Sequence, residues 1–186
     1  MNRQQRIYLM ENQLRSYTTG LVEYINDQWV FFDNETDEAI DLEEYLHQEI
    51  EIYQHNYWRK GVLLEKGMVG FGDKVHLLKN QDLIRIRKQI IYSLERLLED
   101  LNDDAFLHFV TTLNSLKFSI YDCIYCYNHL NFLNKSQPNS GVNFLIFDNQ
   151  EHICTVQHHF TYYEKNSDRF EFTLNSGKRL IIEKIS

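Results

Sequence analysis

Apolar and polar positions alternate with a period of about two through most of the first 80 residues, and with a period near 3.6 from there to about residue 133. The chain opens with Ile7, Met10 and Leu14 at helical spacing, which predicts a helix over 2–16. TGLVEYINDQWVFFD then reads as two strands around the turn pair Asn26-Asp27. Asp41, three residues before Glu44, caps a short helix over 42–48, and strands follow over 49–53, 57–64 and 74–78. Short strands with glycine-containing turns predict a small, bent antiparallel sheet, by analogy a barrel of the SH3-like kind.

From Asn80 the stripe Leu83, Ile86, Ile90, Leu94, Leu97 and Leu101 predicts a helix over 81–101 with Asn80 as its N-cap. Phe106, Phe109, Val110, Leu113 and Leu116 predict a second helix over 104–116, after the break Asn102-Asp103. Ser119, with Asp122 three residues on, opens a third over 120–133. Pro138 marks the loop KSQPNSG, and beyond it NFLIF, HICTVQHHFTYY, RFEFTL and RLIIEKI read as strands. Turn signals separate them at Asp148-Asn149, Asn166-Ser167-Asp168 and Asn175-Ser176-Gly177. The expected class is α+β: an N-terminal small antiparallel sheet or barrel-like unit, a central three-helix block and a C-terminal antiparallel meander. The corresponding partition is 1–79 and 80–186, or one continuous domain.

Composition narrows the function classes. With 43% hydrophobic and 14% aromatic residues the chain has ample material for a core. A net charge of −8 works against binding to nucleic acid or anionic lipid. No apolar run is long enough to span a bilayer, and Glu11, Asn12 and Gln13 interrupt the place where a signal peptide needs its apolar region. The expectation is a cytoplasmic protein whose three cysteines stay reduced.

The stretch YDCIYCYNHL places Cys123, Cys126 and His129 at three-residue steps. Wound on a helix, Cys123 and His129 lie about 9 Å apart along the axis and about 120° apart around it, so His129 drops out of any shared site. A zinc ion would need Cys123 and Cys126 together with His152 and Cys154 from the HICTVQHH segment. Against that, Cys123 sits in the middle of the apolar stripe Ile120, Cys123, Tyr127 and Leu130, and free cysteine behaves as a small buried hydrophobe. The thiols are therefore read as core, with no cofactor, and zinc as the alternative. Cys154, Val156, Phe160 and Tyr162 alternate inward on the partner strand.

Other constellations carry less. The single Glu44-x-x-His47 lacks the second copy that a di-iron bundle requires. Gly67, Gly70 and Gly72 lie between strands, where turns and bulges explain them better than phosphate binding. Arg59, Lys60, Arg85, Arg87 and Lys88 are outnumbered by nearby acids and read as solvated charge. Tyr121, Tyr125 and Phe132 lie on the side of the third helix away from the cysteines, which places them between layers or, alternatively, in a dimer interface.

LERLLEDLNDDAFLHFVTTLNSLKFSIYDCIYCYNHL, together with VEYINDQWVFFDNETDEA, resembles a family of small uncharacterised proteins of Gram-positive spore-forming bacteria. The resemblance covers most of the chain and implies a bacterial cytoplasmic protein, with no activity or catalytic residue to carry over. The leading expectation is a non-catalytic interaction or regulatory protein with a protein partner or a second copy of itself. The alternatives are a zinc-stabilised protein of the same shape, and a small-molecule binder or enzyme with a His, Tyr and Cys pocket between sheet and helices.

Overall fold

The computed structural model describes residues 1–134, 137–163 and 166–185. The fold is α+β, with three α-helices among the described residues and two antiparallel sheets. The chain divides into two compact units, Tyr17–Lys88 and a second made of Met1–Ser16 with Gln89–Ser186.

The Tyr17–Lys88 unit is built of strands β1 (Tyr17–Ile25), β2 (Gln28–Asp33), β3 (Ala39–Asp41), β4 (Glu49–Gln54), β5 (Tyr57–Leu64), β6 (Met68–Phe71), β7 (Lys74–Leu77) and β8 (Leu83–Arg87). They form one sheet in the order β3-β2-β1-β8-β4-β5-β6-β7. Asn26 and Asp27 both take left-handed backbone (φ 51° and 66°), the geometry that a two-residue hairpin needs, and His55-Asn56 repeats it between β4 and β5. Val22, Phe31, Ile50, Ile52, Ile84 and Ile86 make the buried face. On the other face the Arg85 guanidinium lies between the rings of Tyr17 (4.2 Å) and Trp58 (4.5 Å), while its Nε donates to Glu51 at 2.6 Å.

Two expectations change here. The helix expected over 81–101 is a strand followed by a shorter helix. In LIRIR, Ile84 and Ile86 point into the core while Arg85 and Arg87 point out, and β8 pairs with both β1 and β4. The helix expected over 42–48 is a single 3-10 turn, Leu42–Tyr45, capped as expected by Asp41, which accepts from the Glu43 N–H at 2.9 Å.

The second unit comprises α1 (Arg3–Glu11), α2 (Tyr92–Asp100), α3 (Asp103–Ser115), and strands β9 (Cys123–Tyr127), β10 (Asn139–Asp148), β11 (Ile153–Tyr162), β12 (Asn166–Leu174) and β13 (Arg179–Ile185). The strands form a meander in the order β13-β12-β11-β10-β9. Asn102 caps α3, accepting from the Ala105 N–H at 2.8 Å. The apolar sides of α2 and α3 pack on one sheet face, and Phe109 meets Phe147, Phe170 and Phe172 at ring distances of 6.2, 5.2 and 6.1 Å.

The central block thus holds two helices, and the unit's third comes from the chain's start. Residues 120–133 are not the third helix. The capping pair is real: Asp122 Oδ2 accepts from the Ser119 N–H at 2.7 Å and Ser119 Oγ from the Tyr121 N–H at 3.2 Å. It starts only one 3-10 turn, Ile120–Asp122, after which β9 runs extended and a second turn, His129–Phe132, follows. Ile124, Tyr125 and Tyr127 are β-branched or aromatic and favour a pleated surface over a helix. Asn166-Ser167-Asp168 lies within β12, not in a turn. Residues 164 and 165, and 135 and 136 of KSQPNSG, lie outside the described residues.

The partition also differs from 1–79 and 80–186, because β8 completes the first sheet and α1 joins the second unit. Arg6 donates to the carbonyl oxygens of Leu98 and Leu101, each at 2.9 Å, and to Asp103. Gln13 binds Asn114 at 2.7 Å and accepts from the Ile120 N–H at 3.2 Å. Arg15 grips Asp122 with two bonds, at 2.8 and 2.7 Å.

Asp122 therefore serves Arg15 and its own cap while its side chain is only 3% exposed. Asp122→Ala removes the carboxylate that Arg15 and the Ser119 N–H share, and urea denaturation is expected to read a loss of about 3 kcal/mol. A change below about 0.5 kcal/mol, typical of a surface substitution, would contradict this role.

Candidate functional site

The four residues of the zinc arrangement occupy different surroundings. Cys123 pairs in register with Phe147, and Phe147 with Cys154 on its other side. The two cysteines are thus two strand spacings apart, roughly 10 Å between backbones. Cys126 lies opposite Leu145. All three thiols face the helices and are buried, whereas His152 is exposed in the β10–β11 turn, its N–H donating to Asn149 at 2.7 Å. Among the described residues no three His, Cys, Asp or Glu side chains converge to hold a metal ion. Burial pushes the Cys123 thiol up to about 12, with Cys126 adding to the effect, and burial pushes Cys126 and Cys154 up to about 11. Such thiols stay protonated at neutral pH, which suits packing and disfavours nucleophilic attack.

A different cluster occupies the end of the same inner face. Asn143, His158 and Asp168 point inward at positions where neighbouring strands place Leu, Val, Phe and Cys, and each is at most 1% exposed. Their hydrogen bonds fix the protons. Asn143 Oδ1 accepts from the backbone N–H groups of His129 (2.7 Å) and Leu130 (3.3 Å), so its Nδ2 is a donor toward His158 Nδ1 at 3.1 Å. His158 Nδ1 must then accept, and its Nε2 carries the proton that goes to Asp168 Oδ1 at 2.8 Å. Asp168 accepts twice more, from the Tyr162 hydroxyl at 2.6 Å and from Asn102 Nδ2 at 3.0 Å. The ring of His158 stacks on Phe170 at 4.4 Å.

Burial holds His158 below the usual imidazole range, against the opposing pull of Asp168. Burial, and then the Asp168 carboxylate, hold the Tyr162 hydroxyl far above the usual phenol range. Every polar atom of the imidazole is engaged, so His158 has no lone pair to offer a substrate. A cavity of about 530 Å³ adjoins this cluster and is lined by Asn102, Tyr162, Asp100 and Asn139 among others. The small-molecule alternative called for a His, Tyr and Cys pocket between sheet and helices. The structure joins His158 to a carboxylate and leaves the thiols elsewhere. The signal for Asp168 was present: the alternation that puts Phe170 and Phe172 inward puts Asp168 inward too.

The outer face of the sheet is of another kind. Tyr125 pairs with Ile146 and Tyr127 with Phe144, all pointing away from the helices, and Phe132 stacks on Tyr127 at 6.2 Å. Tyr125 and Phe132 are 51% and 73% exposed, so they are not sandwiched between layers as the helical reading preferred, whereas Tyr121 packs against the core; Phe144 beside them is 46% exposed. Toward β12 and β13 the same face turns mixed, carrying Gln157, Arg169, Glu171 and Glu183 with Ile181 beside Glu171.

Two measurements follow. Because burial lowers the folded value of His158, the unfolded chain takes up the proton first. Stability from this site is therefore present above about pH 6.5 and is lost as pH falls below it, by about 1.4 kcal/mol per unit. His158→Gln keeps both hydrogen bonds without titrating, so its stability should gain on that of the natural chain from pH 7 to pH 5; a constant difference would refute the assignment. Ellman's reagent at mildly alkaline pH should find all three thiols silent in the folded protein and reactive in urea, and rapid native reaction of any one would contradict their placement.

The family of proteins of unknown function DUF2777 matches residues 4–184. An uncharacterised Bacillus subtilis (strain 168) protein, YisN, is 32% identical over 183 residues, covering 98% of this chain and 91% of the relative. No solved structure matches. With agreement over nearly its whole length, the chain belongs to the DUF2777 family, whose function is unknown.

Proposed function

We propose that this is a non-catalytic cytoplasmic interaction protein that meets its partner through the aromatic half of the sheet's outer face. The observation that carries the reading is the contiguity of Tyr125, Tyr127, Phe132, Phe144 and Ile146 on β9, β10 and the turn between them. Exposed apolar side chains are ordinary when scattered, but a joined group rich in Tyr and Phe, bordered by a polar region, is what protein interfaces present. Large aromatic side chains dominate the energy of such contacts.

Two further observations support the absence of catalysis in the unit that holds this face. The imidazole of His158 is saturated with bonds inside the core, and the thiols are held protonated. The reading of a cytoplasmic location draws on three unpaired cysteines, which a reducing compartment keeps free. No helix among the described residues is long and apolar enough to cross a membrane.

Site-specific photo-crosslinking in the native bacterial host tests the proposal. A benzophenone side chain at Phe132 is expected to yield a discrete protein adduct, and one at Gln157, on the polar half of the same face, none. The adduct's mass distinguishes a second copy of this chain from another protein. Absence of any discrete adduct from position 132, or equal adducts from both positions, would overturn it.

A further inference from the structure

The Tyr17–Lys88 unit holds a cavity of about 730 Å³, lined with a floor of Leu42, Leu63 and Leu78 and a wall of Tyr24 and Trp29. Its volume falls within the range of small-molecule sites, which are mostly apolar with a few convergent polar groups. Here those groups gather at one corner, around Gly67. The pyrrole edge of the Trp29 indole lies directly over Gly67, where a Cβ would collide with Nε1. Lys66 precedes that glycine, and Lys79 follows Leu78, whose N–H donates to the Gly67 carbonyl at 2.8 Å. One backbone hydrogen bond therefore brings both lysines and the indole N–H to the same side of the cavity.

These three donors are available. Among the described residues none of Trp29 Nε1, Lys66 Nζ or Lys79 Nζ has a hydrogen-bond or ion-pair partner. The turn fixes where Lys66 leaves the chain. Lys66 is held in the left-handed region (φ 57°, ψ 33°), next to Gly67 at φ 68°. Glycine or asparagine occupies such positions readily, whereas lysine has no short side chain to bond back to its own backbone there.

We infer that this cavity binds a free amphipathic organic carboxylate, its anionic head at the corner formed by Lys66, Lys79 and Trp29 Nε1 and its apolar body on the leucine floor. Asp27 and Glu43 also line the cavity and would repel a carboxylate placed beside them, whereas Lys66, Lys79 and the indole N–H are the donors it would meet. The site is independent of the sheet face in the other unit and of the function proposed for it.

Trp29 reports on its own cavity once the second tryptophan is removed, so the test uses the full chain carrying Trp58→Phe. Titration with decanoate below its micelle concentration is expected to change Trp29 emission saturably, while decanol and decyltrimethylammonium bind at least about tenfold more weakly, lacking the charge-assisted bonds. Adding Lys66→Gln and Lys79→Gln is expected to weaken decanoate by about tenfold or more with an unchanged urea midpoint, since both side chains are solvent-exposed. No saturable change, an equal response to the three head groups, or undiminished affinity in the double glutamine variant would each overturn the inference. A response to phosphatidylglycerol vesicles without one to decanoate would also overturn it, pointing to a membrane surface.

Discussion

Asp168 is a carboxylate at an inward position of a sheet whose other inward residues are almost all apolar, and it can stay there only by being given donors. Three arrive from two directions: His158 and Tyr162 from the neighbouring strand, and Asn102 from the N-cap of α3. Asn102 also receives the Ala105 N–H, so one side chain both starts the helix and pins it to the sheet. His158 passes the constraint on to Asn143, which holds the backbone after β9. Helix start, three strands and the turn that follows β9 are thereby positioned relative to one another by a single chain of hydrogen bonds. Apolar packing around Phe109 supplies the bulk of the burial, but it is non-directional; the polar chain specifies register.

Most of the strands were legible because alternation and turn chemistry agreed: Asn26-Asp27, Asp148-Asn149 and Asn175-Ser176-Gly177 all reverse the chain where expected. The α3 helix was legible from Asn102 and its phenylalanines. The misreadings share a physical cause. In β9 the register shifts between Ile146 and Phe147, so that Cys123 and Cys126 both face inward although three residues apart. A bulged strand imitates helical spacing, and a genuine capping pair at Ser119 and Asp122 strengthened the imitation. In β8 the stripe of Leu83, Ile86 and Ile90 matched a helix while leaving Ile84 unexplained; only pairing with β1 and β4, contacts distant in sequence, decides for the strand. The zinc arrangement drew on Cys123 and Cys154, which the sheet sets on either side of Phe147.

The two sheets treat their outer aromatic residues differently. In the Tyr17–Lys88 unit the rings of Tyr17 and Trp58 enclose Arg85, whose charge is met by Glu51, so much of their surface is spent on an internal cation–π stack. In the other unit Tyr127 stacks on Phe132 and His129, while Tyr125 and Phe144 stand about half exposed. Similar residue types thus serve cohesion in one unit and present an open face in the other, a difference that composition alone does not reveal.

The second unit is assembled from both ends of the sequence, with Tyr17–Lys88 inserted between them. During synthesis the inserted unit has all of its strands as soon as residue 88 has emerged, and it can fold at once. The α1 segment, made before it, must wait: Leu98, Leu101 and Asp103, the partners of Arg6, emerge more than 90 residues later. With its few apolar residues and only nine positions, α1 is too short to hold as an isolated helix in the meantime. Its docking therefore follows the emergence of the whole inserted unit, although its residues precede that unit in the chain.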